Sequence, residues 1–351
     1  VTLKESWRFI DYSSDDPYMN LAIEETMARS ILEKNSPNAL RVWQHPLIVS
    51  VGCNQRVEKE VNVDYCKQKG IKIVRRLSGG GAVYQDSGNL NYSLYIDTNK
   101  FRSFKDPIES YSYLCRGLII ALKLLGLEAE FKPVNDIVIG KRKISGNAQH
   151  QLHNVLIHHG TLLIDLNFEN LENALRVSTE KLRDKNASSV RDRVTTIKRE
   201  LGTTIPVSIV KNAVRRGYQE ALGVEFQDSK LTPEELEMAR ELQKKYSSPE
   251  WIFGSSLEFE HEAVYKAPGG LIRVSLNISN NNIKEINISG DFFITPPQAL
   301  KQLEKMLKDK PYNYQNIKQI VEDFYKQNII TPGIKPTDLI VAIMQAKTIL
   351  P

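Results

Sequence analysis

Two periods alternate along this chain. Behind Asp15-Asp16-Pro17, an acidic cap with proline in the first turn, apolar residues recur at helical spacing from Tyr18 to Leu32 and predict a helix. RVWQHPLIVSVG (41–52) reads as two short strands about a His-Pro turn. Residues 72–76 read as another strand, and 82–84 with 91–96 continue a sheet. A long amphipathic helix is expected over 107–125, stopped by Gly126. NDIVIGKRKISGNAQ (135–149) alternates about Gly140-Lys141 as a hairpin, and VLIHHGTLLIDL (155–166) is an apolar strand with a polar centre. Residues 178–199 are polar, basic and without a period, the pattern of a long loop. Helices resume at 206–222 and 232–246, the second opened by Thr232-Pro233-Glu234-Glu235.

After the polar break KKYSSPEW the pattern restarts. Strands are expected near 257–265, 271–278 and 284–289, and helices near 296–309, 313–327 and 335–348. Strands followed by helices make a small α+β domain. The chain therefore divides into a first domain, 1–248, and an accessory C-terminal domain, 249–351, both of mixed α+β class.

Composition narrows the picture. With 351 residues there is material for a large core. The strongest apolar stretch, LCRGLIIALKLLGL (114–127), is interrupted by Arg116 and Lys123. It falls short of the roughly eighteen apolar residues of a transmembrane helix, so no membrane role is expected. The cysteines, Cys53, Cys66 and Cys115, are three in number and widely spaced. They offer neither a disulfide framework nor a metal site and suit a reducing compartment. A net charge of +5 favours an acidic partner or a nucleotide. No nucleic-acid motif accompanies it. The chain begins at Val and carries no signal peptide, which is read as a processed form whose targeting segment has been removed.

Four segments carry candidate chemistry. RRLSGGGAVYQDSGN (75–89) is neither a P-loop nor a GxGxxG turn, because it lies between two strands. It is a backbone anion nest beside Arg75 and Arg76, or a glycine-rich bend. In GKRKISGN (140–147), alternation places Lys141 and Lys143 on one face. The run is a solvated basic tip, or it delivers Lys143 to a site where an ammonium would neutralise an acyl phosphate or polarise a carbonyl. His158 and His159 are adjacent on a strand and face opposite sides, poor geometry for a shared metal. A core or site-lining histidine is expected, with the Thr161 hydroxyl nearby. Residues 178–195 read as a disordered basic loop or as a cationic lid.

Taken together, these segments resemble the lipoate–protein ligase and lipoyltransferase family. The family's RRxSGGGAVxxDxGN is matched from Arg75 to Asn89, and its ND…RK-[VI]-SG-x-A at Asn135-Asp136 and Arg142 to Ala148. HHGTLL is matched from His158 to Leu163, and KLxxKxxxSVRxRV nearly so from Lys181 to Val194. Among members, the length and start look most like a mature mitochondrial lipoyltransferase of animals, acting in the matrix.

That resemblance implies a biotin/lipoate ligase-like catalytic domain with an accessory C-terminal domain, and lipoyl-AMP as ligand. It implies Lys143 as the catalytic contact to the acyl carbonyl and phosphate. The lipoyl-AMP wall would comprise Arg76, Ser78, Gly79, Gly80, Gly81, Ala82, Val83, Tyr84 and Asn89. Asn135, Asp136, Gly146, His159, Thr161, Val190 and Arg193 would complete it, with no metal ligand. The strands around Trp43 and Val49 would line an acyl tunnel with Val83. The activity implied is lipoyl transfer to a lysine of the lipoyl domains of 2-oxo acid dehydrogenase E2 subunits. The donor is lipoyl-AMP or a lipoylated protein such as glycine-cleavage H protein, which is also a candidate partner; the enzyme is expected to be a monomer. Bacterial ligases of the family carry His where Gln85 stands, which leaves Mg²⁺/ATP-dependent activation of lipoate, or of octanoate or biotin, as the alternative. A non-catalytic acyl-adenylate-binding module is the third reading.

Overall fold

The structure is a computed structural model that describes residues 5–102, 104, 106–176, 190–254 and 258–346. By backbone contacts the chain forms two compact units. The first contains Val1–Ser50, Val61–Arg75 and Val83–Ile252; the second contains Val51–Glu60, Arg76–Ala82 and Phe253–Pro351. The sequence division groups 1–248 together. The backbone instead gathers the glycine run from Arg76 to Ala82 with the C-terminal segment.

In chain order the strands before the C-terminal segment are β1 (Ser6–Asp11), β2 (Ala39–Trp43), β3 (Ile48–Val51), β4 (Lys72–Arg75), β5 (Val83–Gln85) and β6 (Asn89–Asp97). They continue as β7 (Glu130–Lys132), β8 (Asp136–Ile139), β9 (Arg142–Leu152), β10 (Val155–Leu163) and β11 (Glu225–Asp228). Among the described residues an eight-stranded sheet runs in the order β11-β1-β2-β6-β10-β9-β8-β7, and β4-β3-β5 form a small second sheet. β1 lies parallel to β2 and β11, and the remaining ladders of the large sheet are antiparallel.

Cross-strand partners share a face, so the register separates the large sheet into two surfaces. Leu40 pairs with Leu94 and Leu90 with Leu162, and these residues are fully buried. Against them pack Leu114, Leu118 and Leu122 from the helix Pro107–Leu124, with Val210, Val214 and Tyr218 from Val207–Leu222. Each such aliphatic side chain contributes about 1.5–3 kcal/mol on burial. The opposite face meets the helix Pro17–Leu32, opened as expected by Asp16, whose carboxylate accepts from the Tyr18 N–H at 2.8 Å.

The expected long loop is partly helical. Residues 177–189, the greater part of the proposed lid, lie outside the described residues. Beyond them Val190–Arg193 and Ile197–Leu201 are short helices. Thr196 caps the second by accepting from the Arg199 N–H, and Gly202 ends it in the left-handed region, local chemistry that a period search over so few residues misses.

In the second unit β12 (His261–Ala267), β13 (Gly270–Ser279) and β14 (Asn282–Gly290) form an antiparallel meander. Its first strand starts later than expected. The helices Ala299–Leu307, Tyr314–Tyr325 and Pro336–Gln345 bury Leu303, Phe324 and Ile343 with Val274, Leu276 and Ile288 of the sheet. None of the described helices is long and apolar enough to cross a membrane.

Candidate functional site

The polar face of the large sheet is built by register. Arg41 pairs with Ser93 and Trp43 with Asn91; Ser93 pairs with His159 and Asn91 with Thr161; His159 pairs with Ala148 and Thr161 with Gly146. Gly146 pairs in turn with Asp136. These residues lie on one surface, alternating with the aliphatic residues of the other.

Lys143 reaches this surface by an irregularity. Strict alternation from Gly146 would turn Lys143 to the core side with Ser145 and Asn147. The β8–β9 register instead steps from Ile137↔Ser145 to Val138↔Lys143, so Ile144 is an extra residue, a β-bulge. Ile144 and Ser145 are both fully buried, and Lys143 turns to the polar face. This corrects the simple alternation that paired Lys143 with Lys141: Lys141 sits in the exposed turn before β9.

The Lys143 ammonium lies 2.6 Å from Asp136 Oδ1. A Cβ at position 146 would stand 2.5 Å from Lys143 Nζ and 2.6 Å from its Cε, so the glycine is what lets this side chain lie across the strand. An ammonium has three N–H donors, and Asp136 accepts one. The Lys143 carbonyl accepts from the Thr195 N–H at 2.9 Å, and Lys143 bridges to Val194. These contacts bring the segment after Val190 and Arg193 alongside β9.

The two histidines part as strand geometry requires. His158 is fully buried on the core face, where its Nδ1 accepts from the Gln149 amide at 3.0 Å and burial pushes its pKa down to about 3. His159 is on the polar face, with Nδ1 at 2.9 and 3.1 Å from the two carboxylate oxygens of Glu24. The Ser93 hydroxyl donates to the same carboxylate at 2.6 Å, and Trp43 Nε1 donates to Ser93 Oγ at 3.1 Å. Burial alone would raise the Glu24 carboxyl. The charge and hydrogen bond of His159, the Ser93 hydroxyl and Arg41 outweigh it and hold the group below its ordinary range. Glu24 was not among the sequence candidates; an acidic residue flanked by the buried Ala22, Ile23 and Met27 was its signal.

The remaining candidates of this unit lie on β5 and β6. Tyr84 is buried; its hydroxyl donates to Asp86 Oδ2 at 3.0 Å and accepts from Asn170 at 3.2 Å. Asp86 also accepts from the Gly88 N–H at 2.9 Å, closing the turn into Asn89. Asn89 is fully buried in β6, and Val83 opens β5 half-buried. The Arg75 guanidinium donates to the carbonyls of Trp251 and Ile252.

The glycine run belongs to the second unit. Arg76 is buried there, its Nη2 donating to the Gly79 and Gly81 carbonyls at 2.7 and 2.9 Å and its Nε to Ser78 Oγ at 3.2 Å. In trans peptides the N–H groups of Gly80 and Ala82 then point opposite to those carbonyls, the orientation an anion nest needs. Gly80 has φ +90°, and a Cβ on it would press on the Arg76 guanidinium and the Phe293 ring at 3.1 Å. Arg76 thus shapes the loop from within.

Residues 16–219 match the lipoyl protein ligase A/B catalytic domain. The chain belongs to this family. Residues 256–343 match the bacterial lipoate protein ligase C-terminus. Lipoate-protein ligase LplJ of Bacillus subtilis is 34% identical over 319 residues, 90% of this chain and 93% of that one. A solved structure from the archaeal lipoylation system of Thermoplasma acidophilum, a bi-partite lipoate protein ligase and its E2 lipoyl domain, superposes with TM-score 0.64 at 31% identity, covering 73% of this chain and 99% of that one. A lipoate-protein ligase A bound with ATP superposes with TM-score 0.63 at 30% identity, covering 71% and 99%. This ligase-family chain has the expected mixed α/β catalytic domain and C-terminal domain, and an acyltransferase or ligase activity follows from its relatives.

Proposed function

We propose that this chain forms an amide between lipoate and a lysine of an acceptor lipoyl domain, with lipoyl-AMP as the acylating agent. The observation that carries the reading is Lys143, turned by the Ile144 bulge onto the polar face and laid over Gly146 beside Asp136. In the reaction the acceptor's neutral ε-amine attacks the acyl carbon and its C–N bond forms. The C–O bond to phosphate breaks, AMP leaves, and the nitrogen's surplus proton passes to solvent. Negative charge grows on the carbonyl oxygen and on the departing phosphate, and the ammonium's remaining donors stabilise both. The bond to Asp136 orients the ammonium in advance, so little reorganisation is left to the transition state.

Formation of the adenylate by the same chain is supported by the likeness to LplJ over 90% of this chain and by the match to the ligase C-terminus. Lipoate's carboxylate would then attack the α-phosphorus of Mg²⁺-bound ATP and release pyrophosphate. The relative solved with an E2 lipoyl domain supports lipoyl domains as acceptors. A second reading is favoured by Gln85, where the family resemblance leads one to expect His: a lipoyltransferase that uses preformed lipoyl-AMP or a lipoylated donor such as H protein. The narrower expectation of an animal mitochondrial enzyme rests on the resemblance alone.

Two reactions with apo lipoyl domain test this, one with lipoyl-AMP and one with lipoate and Mg-ATP, each followed by intact mass. Lipoylation in both is expected. A product with lipoyl-AMP alone selects the transferase, and no product in either overturns the proposal.

A further inference from the structure

On the core face, turned away from Lys143, lie two polar groups that acyl transfer leaves unused. Tyr92 on β6 and Asn147 on β9 are separated by the whole of β10, yet the Tyr92 hydroxyl donates to Asn147 Oδ1. They meet because the residue between them in register is Gly160, which pairs with both. A Cβ there would collide with the hydroxyl and the amide oxygen. Both polar residues are buried, at 0% and 3% exposure, so the bond is sheltered from water.

Asn147 passes the constraint on. Its Nδ2 and its backbone N–H each donate to the Asn135 carbonyl at 3.0 Å, and Asn135 Nδ2 donates back to the Asn147 carbonyl at 2.6 Å. The amide cannot flip: its oxygen would then face the carbonyl of Asn135. Asn135 directly precedes Asp136, whose carboxylate holds the Lys143 ammonium at 2.6 Å.

We infer that Asn147, braced by Tyr92 through the gap at Gly160, is a positioning residue: this strut across the sheet fixes Asn135-Asp136 and thereby the place of the Lys143 ammonium. The role given to Lys143 rests on the acyl-transfer reading; the strut itself does not. A displaced ammonium matters because misplacement by an ångström costs up to ~100-fold in rate.

The test is Tyr92→Phe, which keeps the ring and removes the hydroxyl, made in the wild-type and Asp136→Ala backgrounds. Single-turnover transfer from lipoyl-AMP, lipoyl-AMP affinity and the ¹³Cε signal of Lys143 are measured for each. The expected result is a ~10-fold slower transfer with affinity changed by less than about twofold, and a displaced Lys143 signal. Both effects should vanish in the Asp136→Ala background, which removes the acceptor of the ammonium, a coupling that a general loss of stability does not produce. Equal losses in both backgrounds, or an undisplaced Lys143 signal, overturn the strut. Should Tyr92→Phe fail to fold, Asn147→Ala takes its place with the same expectations. If the wild type transfers nothing, the functional reading falls and the Lys143 signal alone decides the strut.

Discussion

On one face of the large sheet Leu40, Leu90, Leu94 and Leu162 are sealed beneath two helices. On the other, the residues alternating with their neighbours are Arg41, Trp43, Ser93, His159 and Thr161. These leucines gain their stability from area removed from water, so any apolar residue of the right volume serves at their positions. The second face buries polar groups whose desolvation is offset only while each bond is made. Glu24, His159 and Ser93 therefore depend on one another as the leucines do not. Lys143, to which the proposed chemistry is given, joins this demanding surface through one inserted residue.

Substitutions on each face sharpen that contrast. Glu24→Ala leaves His159 Nδ1 and the Ser93 hydroxyl without their shared acceptor, and chemical denaturation should show a loss of about 3–5 kcal/mol. The same carboxylate has a pH signature. Its native pKa lies below the ordinary 4.5, so its contribution is complete above that value and is lost as pH falls through the native pKa. Wild type should thus lose more stability on acidification below about pH 4.5 than Glu24→Gln does. Leu94→Ala on the aliphatic face should cost about 2–5 kcal/mol, with no such dependence on pH. Gly146→Ala is smaller and of another kind. The new Cβ meets the far end of the flexible Lys143 chain, so the ammonium moves while the backbone stays. Transfer should fall ~10-fold, about 1.4 kcal/mol in barrier, with the melting curve little changed. Lys141→Ala, in the exposed turn two residues from the site lysine, should change stability by less than about 0.5 kcal/mol and leave transfer rates unaltered.

Much of this was legible. The hairpin at Gly140-Lys141 showed in its alternation and turn glycine, which has φ +58°. The helices announced themselves through Asp16-Pro17 and the Thr232–Glu235 capping box. The β7 and β11 strands escaped because they are short, EFQD of β11 burying a single residue, Phe226, and β1 because Trp7 to Ile10 are buried in an unbroken run that includes Arg8 and shows no alternation. The bulge escaped for a deeper reason. An extra residue in one strand is defined by its partner strand, and the letters KISGN are compatible with either register. Glu24 had only its apolar surroundings to mark it, since its partners Ser93 and His159 lie 69 and 135 residues away. The arginines of RRLSGGGAVYQDSGN were visible as charge. That Arg75 and Arg76 direct it to backbone carbonyls is a fact of tertiary structure.

In the proposed reaction the bulge places Lys143 to stabilise the charge that develops when lipoyl-AMP acylates a lysine. Single-turnover transfer from lipoyl-AMP to an apo lipoyl domain, compared between wild type and Lys143→Ala, tests it most directly, with thermal unfolding recorded for both. A ~10²–10³-fold slower transfer is expected, in a variant that unfolds like wild type. Transfer within about twofold of wild type would contradict it.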